Sequence, residues 1–371
     1  MRAAYSRTIV LCVALSGLGG CAALDRLRAD APVEPPAADD TDTLRAPPLA
    51  TSRFELSPYT GDVVGAIQVA VARHEDTLLD FARAYGLGYD EIVSANPGVN
   101  PWLPGEGTPI VLPTQFVLPA GARKGIVLNI ATRRLFYFPD VEPGETPVVY
   151  THPIGIGRVG WNTPIGATAV TAKARDPVWW VPASVRKEHA EMGDPLPAKV
   201  PPGPDNPLGH RVLALGLPGY LIHGTNRPDG VGMRVSHGCI RLYPEDIERL
   251  YEITPIGTPV RIVNEPYPLG WRDGQLYLDA HRPLEEDTTD HAPRLEPLLA
   301  DMVAAAGDEP SRIDWDRVAA LIEAGRGFPV PVTEGHVDPD TVLARALPVR
   351  NTVEHEPFAA PPAGGSASAA D

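Results

Sequence analysis

Short apolar runs separated by glycine and proline fill residues 118–266, and they constrain the fold more than any other feature of the chain. GIVLNIATRRLFYFP has such runs on both sides of Thr132-Arg133, which predicts a hairpin. HRVLALGLPGYLIHGT is divided by Leu217-Pro218-Gly219, and proline followed by glycine is typical of a type II turn. PEDIERLYEI indicates a helix with Pro244 at its first position. We therefore predict a mostly-β domain with one or two helices.

A smaller unit precedes this domain at residues 66–114. IQVAVA predicts a strand, HEDTLLDFARAYGLG and YDEIVSANPGVN predict two helices, and TPIVLP predicts a closing strand. After the main domain, residues 267–284 predict a hairpin, and residues 285–330 predict a short acidic segment with helices at 295–305 and 314–324. The sequence from 331 to 371 ends in low-complexity APPAGGSASAAD, and we predict a disordered tail there.

The N-terminus has the pattern of an export signal. Arg2 and Arg7 precede an apolar run at 8–18, which is too short to span a bilayer comfortably. The run ends in Leu18-Gly19-Gly20-Cys21, which resembles the bacterial lipobox and implies that residues 1–20 are a lipoprotein signal peptide and that Cys21 carries lipid. Ala22 implies sorting to the outer membrane. The alternative is an ordinary cleaved signal with an incidental cysteine. Residues 21–65, rich in Pro, Ala and Asp, are predicted to be a disordered tether in the periplasm.

Charge is concentrated at one end of the chain. The formal net charge is −15, and the 17 acidic and 6 basic residues at 285–371 account for −11 of it. A nucleic-acid-binding protein would require a basic patch or stripe, so we expect no nucleic acid partner.

The chain has three cysteines, and two of them belong to the predicted signal region. Cys12 would be discarded and Cys21 lipidated, which leaves Cys239 as the one free thiol of an exported protein. Oxidising compartments favour disulfides, so a lone thiol there is either buried and inert or reactive for a purpose.

The residues around Cys239 suit a nucleophilic thiol. The segment Ser236-His237-Gly238-Cys239-Ile240-Arg241 follows a separate Ile222-His223-Gly224-Thr225 segment. A thiol needs a base to remove its proton, and the backbone amides of Gly238 and Cys239 are candidate oxyanion donors. His223 and His237 both remain candidates for the base, because spacing alone does not decide between them. A metal site formed by His210, His223, His237 and Cys239 is a further alternative, although no CxxC or HExxH spacing accompanies it.

These two segments resemble the signature of the L,D-transpeptidase catalytic (YkuD) family, whose domain is a β-sandwich or barrel-like fold. The resemblance implies that Cys239 is the nucleophile, that His223 is the general base and acid, and that a carbonyl near Gly224 orients the imidazole. It implies oxyanion stabilisation by Gly238 and no cofactor. The residues expected to contact substrate are Arg241, His237, Ser236, Thr225 and Trp180. Trp179-Trp180 is open to a second interpretation as buried packing.

Four other segments match the Gram-negative periplasmic subgroup of this family: Thr163–Gly166, Asp176–Trp179, Gly203–Gly209 and Trp271–Leu278. The implied reaction is attack of the thiol on a peptidoglycan tetrapeptide stem at diaminopimelate, release of D-Ala, and transfer of the resulting thioester to an amine. A second diaminopimelate as acceptor gives a 3→3 cross-link, and the terminal Lys of the murein lipoprotein gives an anchored lipoprotein. Water gives L,D-carboxypeptidase activity.

The 66–114 unit resembles a LysM module, a family that binds the N-acetylglucosamine of peptidoglycan. The matching residues are Asp76-Thr77-Leu78, Tyr85-Gly86, Ala95-Asn96-Pro97 and Pro109–Pro113. His74 and Glu75 depart from the family pattern, so a module that only packs is the alternative to a glycan binder. For the whole chain, the alternative to an enzyme is a catalytically silent peptidoglycan-binding lipoprotein.

Overall fold

The computed structural model describes residues 45–56, 61–287, 292–307, 312–333 and 339–355. The predicted signal peptide, Cys21, most of the tether and the sequence after 355 lie outside these residues. None of the helices in the described ranges is long and apolar enough to cross a membrane.

The N-terminal part of the described chain contains strands β1 to β5 and helices α1 and α2. In chain order they are β1 (Arg53–Glu55), β2 (Val63–Gly65), β3 (Gln68–Val71), α1 (Leu78–Ala84), α2 (Tyr89–Ala95), β4 (Pro109–Leu112) and β5 (Gln115–Val117). The predicted order of strand, two helices and strand is confirmed, with β3 and β4 paired antiparallel. Thr77 caps α1 by accepting a hydrogen bond from the N–H of Asp80 at 3.2 Å, and Asp80 accepts from the N–H of Thr77 at 2.8 Å. We call residues 66–114 the βααβ module.

The mostly-β domain follows. Its elements are β6 (Gly125–Asn129), β7 (Arg134–Phe138), β8 (Val148–Pro153), β9 (Ile156–Gly157), β10 (Gly166–Arg175), β11 (Trp179–Trp180), α3 (Ala183–Glu191), β12 (Lys199–Val200), β13 (Arg211–Leu215), β14 (Leu221–His223), β15 (Arg234–Ser236), β16 (Ile240–Arg241), α4 (Pro244–Ile253) and β17 (Pro259–Val263). The fold class is confirmed: the domain is mostly β and contains two helices.

One nine-stranded sheet organises this domain, in the order β1-β8-β7-β6-β17-β10-β13-β14-β16. The hairpin β6–β7 turns at Thr132-Arg133, and Gly219, at a φ of 83°, stands at the third position of the β13–β14 turn. Both predicted hairpins are therefore confirmed. The pairs β6–β17 and β14–β16 are parallel.

Both faces of the central sheet are covered. On β6, Val127 belongs to one hydrophobic cluster, whereas Ile126 and Leu128 belong to another on the opposite face. Successive side chains of a strand point to opposite faces, so a strand buried on both sides is apolar along its length. The first cluster also contains Leu78 and Phe81 of α1, so the βααβ module shares its core with the sheet.

The chain beyond residue 266 contributes to a third hydrophobic cluster. It contains β18 (Leu269–Arg272), β19 (Gln275–His281), α5 (Ala292–Ala306), α6 (Trp315–Ala324), β20 (Arg326–Pro331), α7 (Pro339–Ala344) and β21 (Leu347–Pro348). The hairpin β18–β19 and the two helices are confirmed. α6 begins after the cap Asp314 and ends at Gly325, which has left-handed backbone angles. β20, which was not predicted, adds a third strand beside β19.

Two predictions of disorder are wrong for the residues that the structure describes. In the tether, β1 pairs with β8 and Ala46 bridges to Val349. In the tail, β21 pairs parallel with β3, and Val349 and Val353 are buried in the first cluster. These segments are ordered by backbone pairing with distant strands and by a few apolar side chains. Neither feature produces a hydrophobic period within the segment itself.

Candidate active site

The candidate base and nucleophile come from two neighbouring parallel strands. β14 pairs with β16 so that Ile222 faces Ile240 and His223 faces Arg241. Both isoleucines are fully buried in the second cluster. Because side chains alternate along a strand, His223 and Arg241 point away from that cluster. Cys239 immediately precedes β16, and the charge of Arg241 acts on its thiol.

His223 is fixed in one tautomer. Its Nδ1 lies 2.6 Å from the carbonyl oxygen of Gly224, which can only accept a hydrogen bond, so Nδ1 carries the proton and Nε2 is the unprotonated nitrogen of the neutral ring. The backbone of Leu208 also lies within hydrogen-bond reach of the imidazole. The hydrogen bond that the family resemblance implied is present. Burial lowers the pKa of His223 to about 3, and the positive charge of Arg241 acts in the same direction. The imidazole is therefore neutral at pH 7.

Cys239 is partly buried in the turn between β15 and β16. Its thiol donates to the carbonyl oxygen of Gly219 at 3.5 Å, so the resting Sγ is directed to the β13–β14 turn. Burial raises the pKa of Cys239, and the N–H of Leu221 and the charge of Arg241 only partly oppose this effect. At rest the thiol of Cys239 and the imidazole of His223 are both neutral. Transfer of the proton to His223 requires the thiol to rotate away from Gly219.

The glycine before the cysteine is required by the shape of this turn. Gly238 has a φ of 100°, and a Cβ there would lie 2.9 Å from the ring of Tyr220. Its N–H donates to Ser236 Oγ at 3.2 Å, so the expected oxyanion donor is already engaged. The N–H of Cys239 has no hydrogen-bond acceptor among the described residues, and it is the better candidate.

Ser236 and Thr225 are buried, and their hydroxyls form hydrogen bonds with the backbone of nearby loops. Ser236 Oγ donates to the carbonyl of Cys239 at 2.6 Å, and Thr225 Oγ1 donates to the carbonyl of Arg227 at 3.1 Å and accepts from its N–H at 2.9 Å. Only 3% and 4% of these residues are exposed. Their hydroxyls hydrogen-bond to the loops that carry Cys239 and His223, and contact with substrate stays a prediction for both residues.

His237 is directed to α3. Its Nε2 lies 2.8 Å from a carboxylate oxygen of Glu188 and 3.1 Å from the guanidinium of Arg158, and its ring meets that of Trp161 edge-on at 4.9 Å. This pairing engages Nε2 of His237 with α3, and His223 stays the predicted base for Cys239. His210 is paired with Glu248 at 3.7 Å, so the histidines of the metal alternative have separate partners.

Trp180 is exposed, with 70% of its surface accessible, so the interpretation of the pair as buried packing is wrong for this residue. It lies on the β11–β12 hairpin, where Lys199 Nζ is 5.8 Å from its ring centre. Contact with substrate remains a prediction for Trp180.

Sequence reasoning missed several residues that shape the site. Thr163 Oγ1 donates to the carbonyl of Gly238 at 2.9 Å, and Arg158 forms an ion pair with Glu188. Tyr220 lines the space beside Gly238. Thr163 lies in a segment that matched the family, but Arg158 and Glu188 are far from the motif in sequence and carried no signal.

The family model of the L,D-transpeptidase catalytic domain (YkuD) matches residues 123–262, which include β14, His223 and Cys239. The chain is 39% identical to "Probable L,D-transpeptidase ErfK/SrfK" of Salmonella typhimurium over 76% of this chain and 91% of that protein. The chain belongs to the L,D-transpeptidase family. It is also 36% identical to "Probable L,D-transpeptidase YcfS" of Escherichia coli, over 80% of this chain and 92% of the relative.

Among solved structures, the chain is similar to an L,D-transpeptidase from Mycobacterium tuberculosis H37Rv. The identity is 22%, the match covers 43% of this chain and 63% of that one, and the TM-score is 0.27. A likeness this weak adds nothing to the family membership that the sequence relatives carry. As an L,D-transpeptidase, the protein is a transferase.

Proposed function

We propose that this L,D-transpeptidase uses Cys239 as nucleophile and His223 as general base on peptidoglycan tetrapeptide stems. The observation that carries the proposal is the hydrogen bond from His223 Nδ1 to the carbonyl of Gly224, which leaves a basic Nε2 on the strand beside Cys239. Gly224 thus orients the base through its backbone.

Cys239 and His223 account for every proton transfer in the proposed reaction. The thiol gives its proton to His223 Nε2 while Sγ forms a bond to the carbonyl carbon of diaminopimelate, and the oxyanion is held by the N–H of Cys239. When the C–N bond breaks, His223 returns the proton to the departing D-Ala amine. The thioester then passes to an amine. Diaminopimelate, the Lys of a lipoprotein and water are all acceptors consistent with the chemistry.

Arg241 is suited to a carboxylate of the stem. Its Nε is buried without a hydrogen-bond partner among the described groups, and the titratable groups that act on it are Arg227 and the thiol of Cys239. Burial lowers the pKa of Arg241, and the neighbouring Arg227 lowers it further. A guanidinium without an acidic partner favours an anionic ligand, because its fork of donors matches a carboxylate.

The Cys239→Ala variant tests the enzyme against the silent wall-binding protein. We expect release of D-Ala from a disaccharide tetrapeptide to disappear, while co-sedimentation with isolated sacculi persists. Surviving release would remove Cys239 from the mechanism. Intact-mass detection of a carbapenem adduct on wild type and not on the variant provides a second measurement. Activity in EDTA should equal activity without it.

The acyl acceptor and the cellular location of the protein have to be determined in cells. Muropeptide mass spectrometry with and without the protein should reveal 3→3 dimers for cross-linking, or altered lipoprotein remnants for anchoring. We further propose a periplasmic protein anchored to the outer membrane by lipid on Cys21. Replacement of Cys21 by Ser should release the protein from the membrane fraction, and retention would contradict the anchor.

A further inference from the structure

The loop that joins the strand of His223 to the strand before Cys239 rests on the βααβ module. This loop, residues 224–233, leaves β14 after His223 and enters β15, which leads to Cys239. We call it the connecting loop. A shift of the connecting loop would move the end of β14, which carries His223, relative to the turn that carries Cys239. The contacts that hold the connecting loop in place therefore matter for catalysis.

The contact between loop and module is made by backbone atoms. The N–H of Tyr89, the first residue of α2, donates to the carbonyl of Val231 at 3.1 Å. A Cβ placed on Gly88 would lie 2.7 Å from the Cα of Gly232, and one on Gly232 would lie 2.4 Å from the Cα of Gly88. The two chains approach so closely that neither position has room for a side chain.

The module side of this contact is rigid. Glu91 accepts from the N–H of Gly88 at 2.6 Å and from two nitrogens of Arg134 at 2.6 and 2.8 Å. Arg134 also donates to the carbonyl of Gly86 at 3.0 Å, and only 2% of it is exposed. The turn between α1 and α2 is therefore fixed to β7 of the central sheet.

The far end of the same turn is fixed to the segment after the nucleophile. Tyr243 Oη donates to the carbonyl of Leu87 at 3.1 Å, and Arg83 pairs with Glu245 at 2.9 Å. The turn at 86–89 thus touches the connecting loop on one side and the start of α4 on the other. Val231 lies midway between His223 and Cys239 in sequence, and Tyr243 follows Cys239 by four residues.

We propose that Gly88 and Tyr89 are positioning residues of the active site, which set the geometry of His223 and Cys239 by holding the connecting loop. This inference builds on the proposed function. It gives the βααβ module a role in the reaction that is independent of glycan binding.

The Gly88→Ala variant tests the contact between the module and the connecting loop. The φ of Gly88 is −92° and its ψ is 162°, so alanine adopts this backbone without strain. The new methyl group would lie 2.7 Å from the Cα of Gly232, which is too close, and 3.4 Å from Glu91 Oε2, which is an ordinary contact. The matched control is Gly107→Ala in the same module. Gly107 has a φ of 81° and open space around it, so that variant strains the module without touching the loop.

We expect Gly88→Ala to lower kcat for D-Ala release by about 10- to 100-fold, with little change in KM, because displacement of reacting groups by about 1 Å costs this much. Gly107→Ala should lower the melting temperature and keep kcat. Equal kcat values in wild type and Gly88→Ala, with both variants folded, would overturn the proposal.

A second pair of variants tests the hydrogen bond from Tyr89 to Val231. Proline is tolerated at the first position of a helix, and the extended backbone of Gly88 suits a residue before proline. Tyr89→Pro deletes the N–H that Val231 accepts, and Tyr89→Ala deletes the side chain and keeps that N–H. We expect the proline variant to have the lower kcat. Equal values would contradict the positioning role of this bond.

Alkylation of Cys239 by iodoacetamide separates this proposal from the proposed function. Its rate needs no peptidoglycan substrate, and it should change in Gly88→Ala and stay constant in Gly107→Ala. If wild type fails to act on tetrapeptides but alkylation still differs between the variants, the proposed function is wrong and the positioning stands. Identical alkylation in all three proteins would refute the positioning.

Discussion

At the scale of single residues, Cys239 and His223 rest as a neutral pair. Burial raises the pKa of the thiol and lowers that of the imidazole, so a thiolate–imidazolium pair is disfavoured before substrate binds. We expect the rate of Cys239 alkylation to rise continuously from pH 5 to pH 9. Mass spectrometry of the peptide that contains position 239 measures it after timed labelling, and Cys239→Ser is the control in which that peptide takes no label. A rate that is constant from pH 5 to pH 8 would indicate a preformed thiolate.

The buried imidazole also makes stability depend on pH. The pKa of His223 is about 3 in the folded protein, against about 6.5 in an unfolded chain. Between these values the unfolded state binds a proton that the folded state does not. Stability is therefore complete above pH 6.5 and decreases as the pH falls toward 3.

At pH 5 this loss amounts to about 2 kcal/mol, because each pKa unit corresponds to about 1.4 kcal/mol. Urea unfolding at pH 7 and pH 5 measures the difference, which should be smaller by about that amount in His223→Gln. The same pH dependence in both proteins would show that His223 is charged when folded.

At the scale of elements, the segment 345–355 is held to the βααβ module by a buried carboxylate. Asp76 Oδ2 accepts from the amide of Asn351 at 2.6 Å, and Oδ1 lies 2.7 Å from Nε2 of His355. The side chain of Asp76 is fully buried, so loss of the Asn351 donor removes one hydrogen bond to a desolvated carboxylate, while Arg73 and His355 remain its partners.

We expect Asn351→Ala to lower the free energy of unfolding by about 1–3 kcal/mol. The neighbouring exposed Glu354 provides the control, and Glu354→Ala should stay within about 0.5 kcal/mol of wild type. Urea titration followed by far-UV circular dichroism compares them. If both variants equal wild type, the segment does not contribute to the stability of the fold.

At the scale of the whole molecule, the module and the catalytic sheet share a hydrophobic cluster and a buried ion pair. Arg134 of β7 contacts Glu91 of α2, and the guanidinium lies 4.0 Å above the ring of Phe116. Removal of one partner of a buried pair leaves an uncompensated charge, which costs about 3–5 kcal/mol.

Calorimetry should therefore give a single unfolding transition for module and sheet in wild type, and Glu91→Gln should lower its midpoint. The exposed pair Arg175–Glu252 is the control, since Glu252→Gln should cost about 1 kcal/mol or less. Two separate transitions in wild type would show that the module unfolds on its own.

Sequence signals identified much of this molecule. The hairpins at Thr132-Arg133 and Pro218-Gly219 could be predicted because their turn residues lie between the paired strands. The helix α4 could be predicted because a proline stands at its first position. The pattern around His223 and Cys239 was also local enough to name a nucleophile and two candidate bases, and the family resemblance implied His223. Spacing alone could not choose between His223 and His237, because Glu188, the partner of His237, lies on a helix that the motif does not reach.

The sequence alone determined the mostly-β class, the family and the two residues at the centre of the proposed chemistry, because strand patterns, turn residues and the motif are each encoded within a few positions. Only the tertiary structure decided that Ser236 and Thr225 brace loops, that β21 joins β3, and that Gly88 meets Gly232. Such contacts join segments that are distant along the chain, and their energy comes from backbone pairing and close packing. Neither leaves a period or a motif in the residues that make them.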